Sequence, residues 1–328
     1  MMRTHCTILL LAALLAAGGA AAAEDNLYLD GMAAYSAGEY DEAAGLLELH
    51  YITHPDCPYT AYNAACCFAL SGEATKALAY LDRSIELGIC GFAGDADLDP
   101  LRGTAAFAER LERADAKLAE LQDRDWPAEI LPPSCEHDGG QPVVIMLHGY
   151  GAAPANLVGP PFGDYFTDEG YLYAVPYGDR VHGSISFSWS GLAEAEAVVE
   201  RLLKRLEKEY GLDDESVYLA GFSQGGAVAL GLALKRPELF DGVIALAGGW
   251  NPAWESHLAA AAAADLRCYL WIGELDEAER VSGLEAALHS LRAAAVPATL
   301  VIAEETAHSL PVDALAPFRD GLDYVGAR

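Results

Sequence analysis

Val217-Tyr218-Leu219-Ala220-Gly221-Phe222-Ser223-Gln224-Gly225-Gly226 joins an apolar run of strand length to a run of helix-forming residues. An ordinary strand-to-helix connection rarely calls for more than one glycine. Here Gly221 and Gly225 flank Ser223 at the two positions where a side chain would crowd a very sharp turn. The pattern G-x-S-x-G holds a serine in strained backbone with its hydroxyl exposed. Gly- and Ala-rich chains also produce such a pentapeptide by chance. Its meaning therefore depends on whether the chain supplies a base, an acid and an anion pocket.

The surrounding sequence supplies a frame for them. Apolar runs of strand length occur at Val143–His148, Tyr171–Val175, Val217–Phe222, Gly242–Ala247, Cys268–Ile272 and Thr299–Ala303, with helical patterns between them, clearest over Ala193–Tyr210. Continuous apolar strands suit burial on both faces, and intervening helices suit a parallel sheet. In such sheets ligands meet residues at the carboxyl ends of the strands. At the end of the first run stands His148-Gly149-Tyr150-Gly151, whose glycines let the backbone turn an amide toward a developing oxyanion. The amides of Tyr150 and Gln224 are the two candidate donors of that pocket. His148 precedes the serine and is read as a support of its loop rather than as a proton carrier.

After Cys268–Ile272 the chain reads Gly273-Glu274-Leu275-Asp276, and after the last run it reads Glu305-Thr306-Ala307-His308-Ser309. Ser223, Asp276 and His308 thus follow three different strands. In that arrangement His308 accepts the serine proton and Asp276 orients the ring. Glu274 is the rival acid. His137, His182, His257 and His289 fall outside the constellation.

Residues 142–328 resemble the phospholipase/carboxylesterase branch of the α/β-hydrolase superfamily. The resemblance is carried by LHGYG, LAGFSQGGAVALGLAL, FDGVIALAGGW, WIGELD and AHSLP. It implies an α/β-hydrolase fold, and ester or thioester hydrolysis through an acyl-enzyme, with no metal or organic cofactor. Two departures stand out. Glu277-Ala278-Glu279-Arg280 follows the aspartate where the family often has Val-Pro, and Ala307 precedes the histidine where the family has Gly. The loop Gly183–Gly191 (GSISFSWSG) lies where the family lines its acyl pocket. Its Phe187 and Trp189 are candidate substrate contacts, or else packing aromatics.

Ahead of this region the chain repeats itself. Gly38-Glu39 recurs as Gly72-Glu73, Ala43 as Ala77 and Leu47 as Leu81, each 34 residues on. That period, with small residues at fixed points, resembles the tetratricopeptide repeat, two antiparallel helices joined by a glycine turn. A further helical run, Thr104–Leu121, caps the stack. Such a unit either offers a groove to a protein partner or serves as a packing platform. Residues 24–124 are assigned to this all-α domain and 125–141, rich in Pro and Gly, to a linker.

The chain has 328 residues, 52% of them apolar, and a formal charge of −29 from 49 acidic and 20 basic residues. Such a charge repels phosphate backbones and anionic lipid surfaces, which excludes nucleic acid as a partner. Residues 1–23 open with Arg3, continue apolar and end in Ala21-Ala22-Ala23, the layout of a secretory signal peptide. Their apolar run is short for a membrane span of about 20 residues. The mature protein is expected outside the cytoplasm, periplasmic or extracellular, without stable membrane insertion. Six cysteines then remain, with no spacing suited to a structural zinc; Cys57 and Cys90, flanking one helix pair, are expected to form a disulfide. Two rival readings persist: a binding scaffold with a non-essential hydrolase domain, and a peptidase or deacetylase of the same fold.

Overall fold

The computed structural model describes residues 25–135 and 140–326. The expected signal peptide and His137 lie outside the described residues. The chain divides into two compact units. The first runs to Asp125 and also takes in Val181–Ser186; the second comprises Trp126–Arg180 and Phe187 onward.

The first unit is helical: α1 (Asp25–Ala37), α2 (Tyr40–Thr53), α3 (Pro58–Leu70), α4 (Ala74–Glu86), a 3₁₀ turn at Ala96–Leu101 and α5 (Ala105–Gln122). The 34-residue repeat reappears in the backbone. Gly38 and Gly72 end α1 and α3 with φ of 84° and 88°, a left-handed conformation that glycine adopts without penalty. The Glu39 amide bonds the Ala34 carbonyl at 2.9 Å, and the Glu73 amide bonds that of Phe68 at 2.8 Å, in the same register. Ala43, Ala77, Leu47 and Leu81 are fully buried between the helices. Small residues there allow close helix approach: a Cβ on Gly31 would lie 3.0 Å from Leu47 Cγ. Thr104 caps α5 by accepting the Phe107 amide at 3.2 Å.

The 3₁₀ turn is tied down by acids. Tyr62 donates to Asp95 at 2.5 Å and Tyr35 to Asp97 at 2.6 Å, and the sulfur of Cys66 lies within 4.8 Å of both carboxylates. Cys57 and Cys90 are free thiols rather than a disulfide. Cys90 lies past the end of α4 with its sulfur 3.6 Å from the Gly88 carbonyl, and burial pushes its thiol up to about 11. The thiol therefore turns into the fold instead of toward Cys57, which precedes α3.

Val181–Ser186 completes this unit. The Ser184 amide bonds the Gly88 carbonyl at 2.9 Å, its hydroxyl bonds Leu87 O at 2.6 Å, and Gly183 bridges Ile89. Ile185 packs against the helical core. The first half of the loop expected to line an acyl pocket is thus part of the helical unit.

The second unit is a sheet covered by helices. Its sheet strands are β1 (Glu129–Leu131), β2 (Gln141–Leu147), β3 (Leu172–Val175), β6 (Leu212–Phe222), β7 (Gly242–Leu246), β8 (Arg267–Gly273) and β9 (Ala298–Ala303); the two-stranded pair β4 (Arg180–Gly183) and β5 (Ser186–Ser188) falls where the chain passes through the Val181–Ser186 segment of the first unit. The order is β1-β3-β2-β6-β7-β8-β9, parallel except for β1, which runs antiparallel to β3. All six expected strands are present. The stretch read as a linker contributes β1, a three-residue strand too short for a periodicity signal.

Helices of this unit are α6 (Ala155–Val158), α7 (Phe162–Asp168), α8 (Leu192–Tyr210), α9 (Gln224–Lys235), α10 (Leu258–Ala263), α11 (Ala278–Ala293) and α12 (Ala316–Gly326). α8 shows why the sequence forms a covering helix. Ala195, Val199, Leu202 and Leu206 recur on one face and are buried, while charged residues fill the other. Each buried leucine there contributes roughly 1.5–3 kcal/mol of transfer free energy. Among the described residues, no helix is long and apolar enough to cross a membrane.

Candidate active site

The sharp turn sits between β6 and α9. Ser223 has φ 55° and ψ −120°, a conformation that costs a non-glycine residue of order 1–3 kcal/mol. The turn is held by the Ser223 amide on Leu246 O at 2.8 Å and the Ala227 amide on Ser223 O at 3.0 Å. The flanking glycines are required by contact. A Cβ on Gly221 would lie 2.3 Å from Gly225 O, and one on Gly225 would lie 2.0 Å from Leu147 O. Gly226, which the motif does not single out, is equally confined: its Cβ would lie 2.6 Å from Leu246 O.

A second close approach brings the other two residues together. A Cβ on Gly273, the last residue of β8, would lie 2.2 Å from Thr306 O. Without one, the turn after β8 runs against the chain after β9, with the Leu275 amide on Thr306 O at 2.8 Å and the Glu274 amide on Ala303 O at 2.8 Å. Asp276 and His308 thereby face each other. His308 Nδ1 lies 2.6 Å from Asp276 Oδ2, and His308 Nε2 lies 2.8 Å from Ser223 Oγ. A carboxylate only accepts, so Nδ1 carries the proton and Nε2 is left to accept from the serine hydroxyl. The Asp276 side chain is 0% exposed. The rival acid, Glu274, is turned to the Glu305 amide at 3.3 Å.

The His148–Gly151 loop passes beside the serine: a Cβ on Gly149 would lie 3.5 Å from Ser223 Cβ. Tyr150 follows on this loop with its side chain exposed. Gln224 is the first residue of α9, where backbone amides have no partner within the helix. Its side chain has a separate task that the motif does not reveal. Gln224 Oε1 accepts the Trp189 amide at 3.1 Å and Nε2 donates to Trp189 O at 3.0 Å, which clamps the strand end that follows β5.

Phe187 and Trp189 lie near the serine loop but do not present surface to a substrate; they are packing aromatics. Phe187 is 0% exposed, with its ring 4.9 Å from Trp126 and 4.8 Å from Tyr177. Trp189 is 3% exposed and donates its indole N–H to His148 O at 3.0 Å. Aromatic residues after an apolar strand carry no sequence signal that separates these two roles.

His148 supports the loop, as its position suggests. The Gly178 amide donates to Nε2 at 2.9 Å, so Nδ1 bears the proton and donates to Gly149 O at 2.8 Å. Burial pulls its pKa down from 6.5 to about 4, against the opposing hydrogen bond to Gly149. In the unfolded chain the ring binds a proton near pH 6.5; in the fold it does so only near 4. The neutral ring's contribution is therefore complete above pH 6.5 and is lost as the pH falls from 6.5 toward 4. The loss attributable to this group is about 3 kcal/mol. Urea denaturation of His148→Gln is expected to show a flatter pH dependence between pH 6.5 and 4 than the native chain. An unchanged slope would remove His148 from the acid response.

The sheet order and this geometry give the second unit an α/β-hydrolase fold. Residues 184–325 match the model of the phospholipase/carboxylesterase family. Acyl-protein thioesterase 1 of Eremothecium gossypii is 29% identical over 101 residues, which is 31% of this chain and 43% of that protein. The chain thus spans less than half the length of the curated relative it matches. Among solved structures, esterase PE8 is 27% identical with a TM-score of 0.50, covering 61% of this chain and 100% of its own. An uncharacterized protein from Bacillus cereus ATCC 10987 shares the fold at 18% identity and a TM-score of 0.52, over 92% of this chain and 98% of its own.

Proposed function

We propose that the protein is a serine hydrolase of the carboxylesterase type, cleaving esters or thioesters through an acyl-enzyme. Ser223 Oγ attacks the acyl carbon while His308 Nε2 takes its proton. Asp276 holds the imidazole in the required tautomer and stabilises the imidazolium. The amides of Tyr150 and Gln224 receive the oxyanion. The proton on Nε2 then passes to the departing alcohol or thiol. Water, activated by the same nitrogen, releases the acid in the second half-reaction.

The observation that carries this reading is the continuous hydrogen-bonded series Asp276–His308–Ser223 at 2.6 and 2.8 Å, ending on a serine with positive φ. The family match over residues 184–325 supports it independently. Export belongs to the same reading and rests on the layout of residues 1–23. Reception of a protein partner by the helical unit rests on its 34-residue repeat.

A fluorophosphonate probe and a panel of nitrophenyl esters of graded chain length test the activity. Stoichiometric labelling that maps to Ser223, with hydrolysis of at least one ester, is expected. Native, folded protein that neither labels nor turns over any ester would end the proposal in favour of a binding scaffold.

A further inference from the structure

The segment after the acid is one of the two places where the active-site loops depart from the family pattern, and the structure gives it a task. Arg280 lies in the first turn of α11, four residues beyond Asp276. Its Nε donates to Asp276 Oδ1 at 3.1 Å, and its terminal nitrogen donates to Glu277 Oε2 at 3.0 Å. The Glu277 amide also donates to Asp276 Oδ1, at 2.7 Å. One carboxylate oxygen is thus held by two donors, which leaves the other aimed at His308. The guanidinium is 27% exposed while the carboxylate is fully buried, so the pair brings a cation from the surface against an enclosed anion.

We propose that Arg280 is a positioning residue for the triad, setting both the rotation and the effective charge of Asp276. This rests on the reading of Asp276 and His308 as acid and base. Two consequences follow from the geometry. Without Arg280, Oδ1 keeps only the Glu277 amide, and the carboxylate is free to rock about its Cβ–Cγ bond away from Nδ1. Without its positive charge, Asp276 faces the imidazole with its full negative charge, and the protonated ring is favoured. Positioning loss lowers the rate; charge loss moves the acid limb of the pH–rate profile upward. Among the described residues, the other ionisable groups on these loops are carboxylates, including Asp313, which is paired with Arg319. Glu277 is engaged with Arg280, Glu274 with the Glu305 amide, and Glu304 and Glu305 lie on the turn after β9. None of them supplies a compensating cation.

The test uses full-length protein and compares Arg280→Ala, Arg280→Lys and the native chain. Titration of competent sites with a fluorophosphonate normalises each rate. Arg280→Ala is expected to lower kcat per titrated site about tenfold with KM within about twofold, and to move the acid limb up by about half a pH unit. Arg280→Lys, which keeps the charge but not the forked geometry, should leave the acid limb in its native place. The low-field proton resonance of His308 Nδ1, followed against pH, gives the same comparison without turnover. In Arg280→Ala its midpoint should rise. Native kcat per site and an unmoved acid limb in Arg280→Ala would overturn the proposal, as would an unmoved resonance. An acid limb displaced equally in the alanine and lysine variants would also overturn it. Absence of all turnover and labelling in the native chain would instead count against the hydrolase reading, while the resonance still decides the role of Arg280.

Discussion

Ser223→Ala is expected to lower kcat for ester hydrolysis by about 10⁴-fold or more and to abolish fluorophosphonate labelling. Its melting temperature should stay within about 3 °C of the native value. The side chain's hydrogen bond at this site is to His308 Nε2, at 2.8 Å, whereas the turn is held by backbone bonds at Ser223 N and O. Removing the hydroxyl therefore takes away the nucleophile and leaves the support in place. His308→Ala should cost a comparable factor, because an unassisted serine hydroxyl is a poor nucleophile. The double variant should be little worse than either single one, since groups acting as a unit are not additive. Steady-state kinetics with circular dichroism on the same samples decides the matter. A folded Ser223→Ala protein with native rates would remove the serine from the mechanism.

Gly225→Val should prevent folding rather than slow catalysis. The new Cβ would stand 2.0 Å from Leu147 O and 2.6 Å from His148 O. Both are backbone atoms at the end of β2, a strand paired on both sides. Neither can yield without breaking the centre of the sheet. Overpacking by flexible side chains costs typically 1–3 kcal/mol. A rigid collision of this depth is expected to exceed about 4 kcal/mol, comparable to a whole domain's margin of roughly 5–15 kcal/mol. Alanine already suffices for the clash, so Gly225→Ala should also fail. Gly249→Ala, where a Cβ meets nothing within 4 Å, is the matched control and should leave the denaturation midpoint in place. Soluble, cooperative unfolding of Gly225→Val at a native midpoint would contradict the turn geometry.

The legible parts of the molecule were those with a periodic or punctuated signal. Strands buried on both faces read as continuous apolar runs, and all six emerged where expected. The glycine-bracketed serine, and the acid and histidine at later strand ends, have positions dictated by strand polarity. The 34-residue repeat was visible because the same small and apolar side chains recur at the same contacts. What stayed hidden depends on contacts between distant segments. β1 owes its existence to pairing with β3, not to its own three residues. Arg280 was visible only as a departure from a pattern; its reach back to Asp276 needs the turn that starts α11. Phe187 and Trp189 could not be assigned from composition, since an aromatic residue that packs and one that meets a substrate look alike in a sequence. The expected Cys57–Cys90 bond failed because proximity of helix ends does not determine where each thiol points.

The helical unit is discontinuous in the chain, since Val181–Ser186 belongs to it although it lies among the strands of the hydrolase unit. A chain made or threaded from its N-terminus presents α1 to α5 first, yet Gly88 O and Leu87 O wait for Ser184, and the helical core waits for Ile185. Early emergence therefore does not mean early completion, and the helical unit must persist unfinished while β1 to β3 are produced. The same arrangement gives the gene no clean seam. Cutting at Asp125 would leave one product without its closing segment and the other carrying an apolar isoleucine with nothing to cover it, a liability for aggregation. Shuffling either half into a new partner would require moving two pieces of coding sequence together.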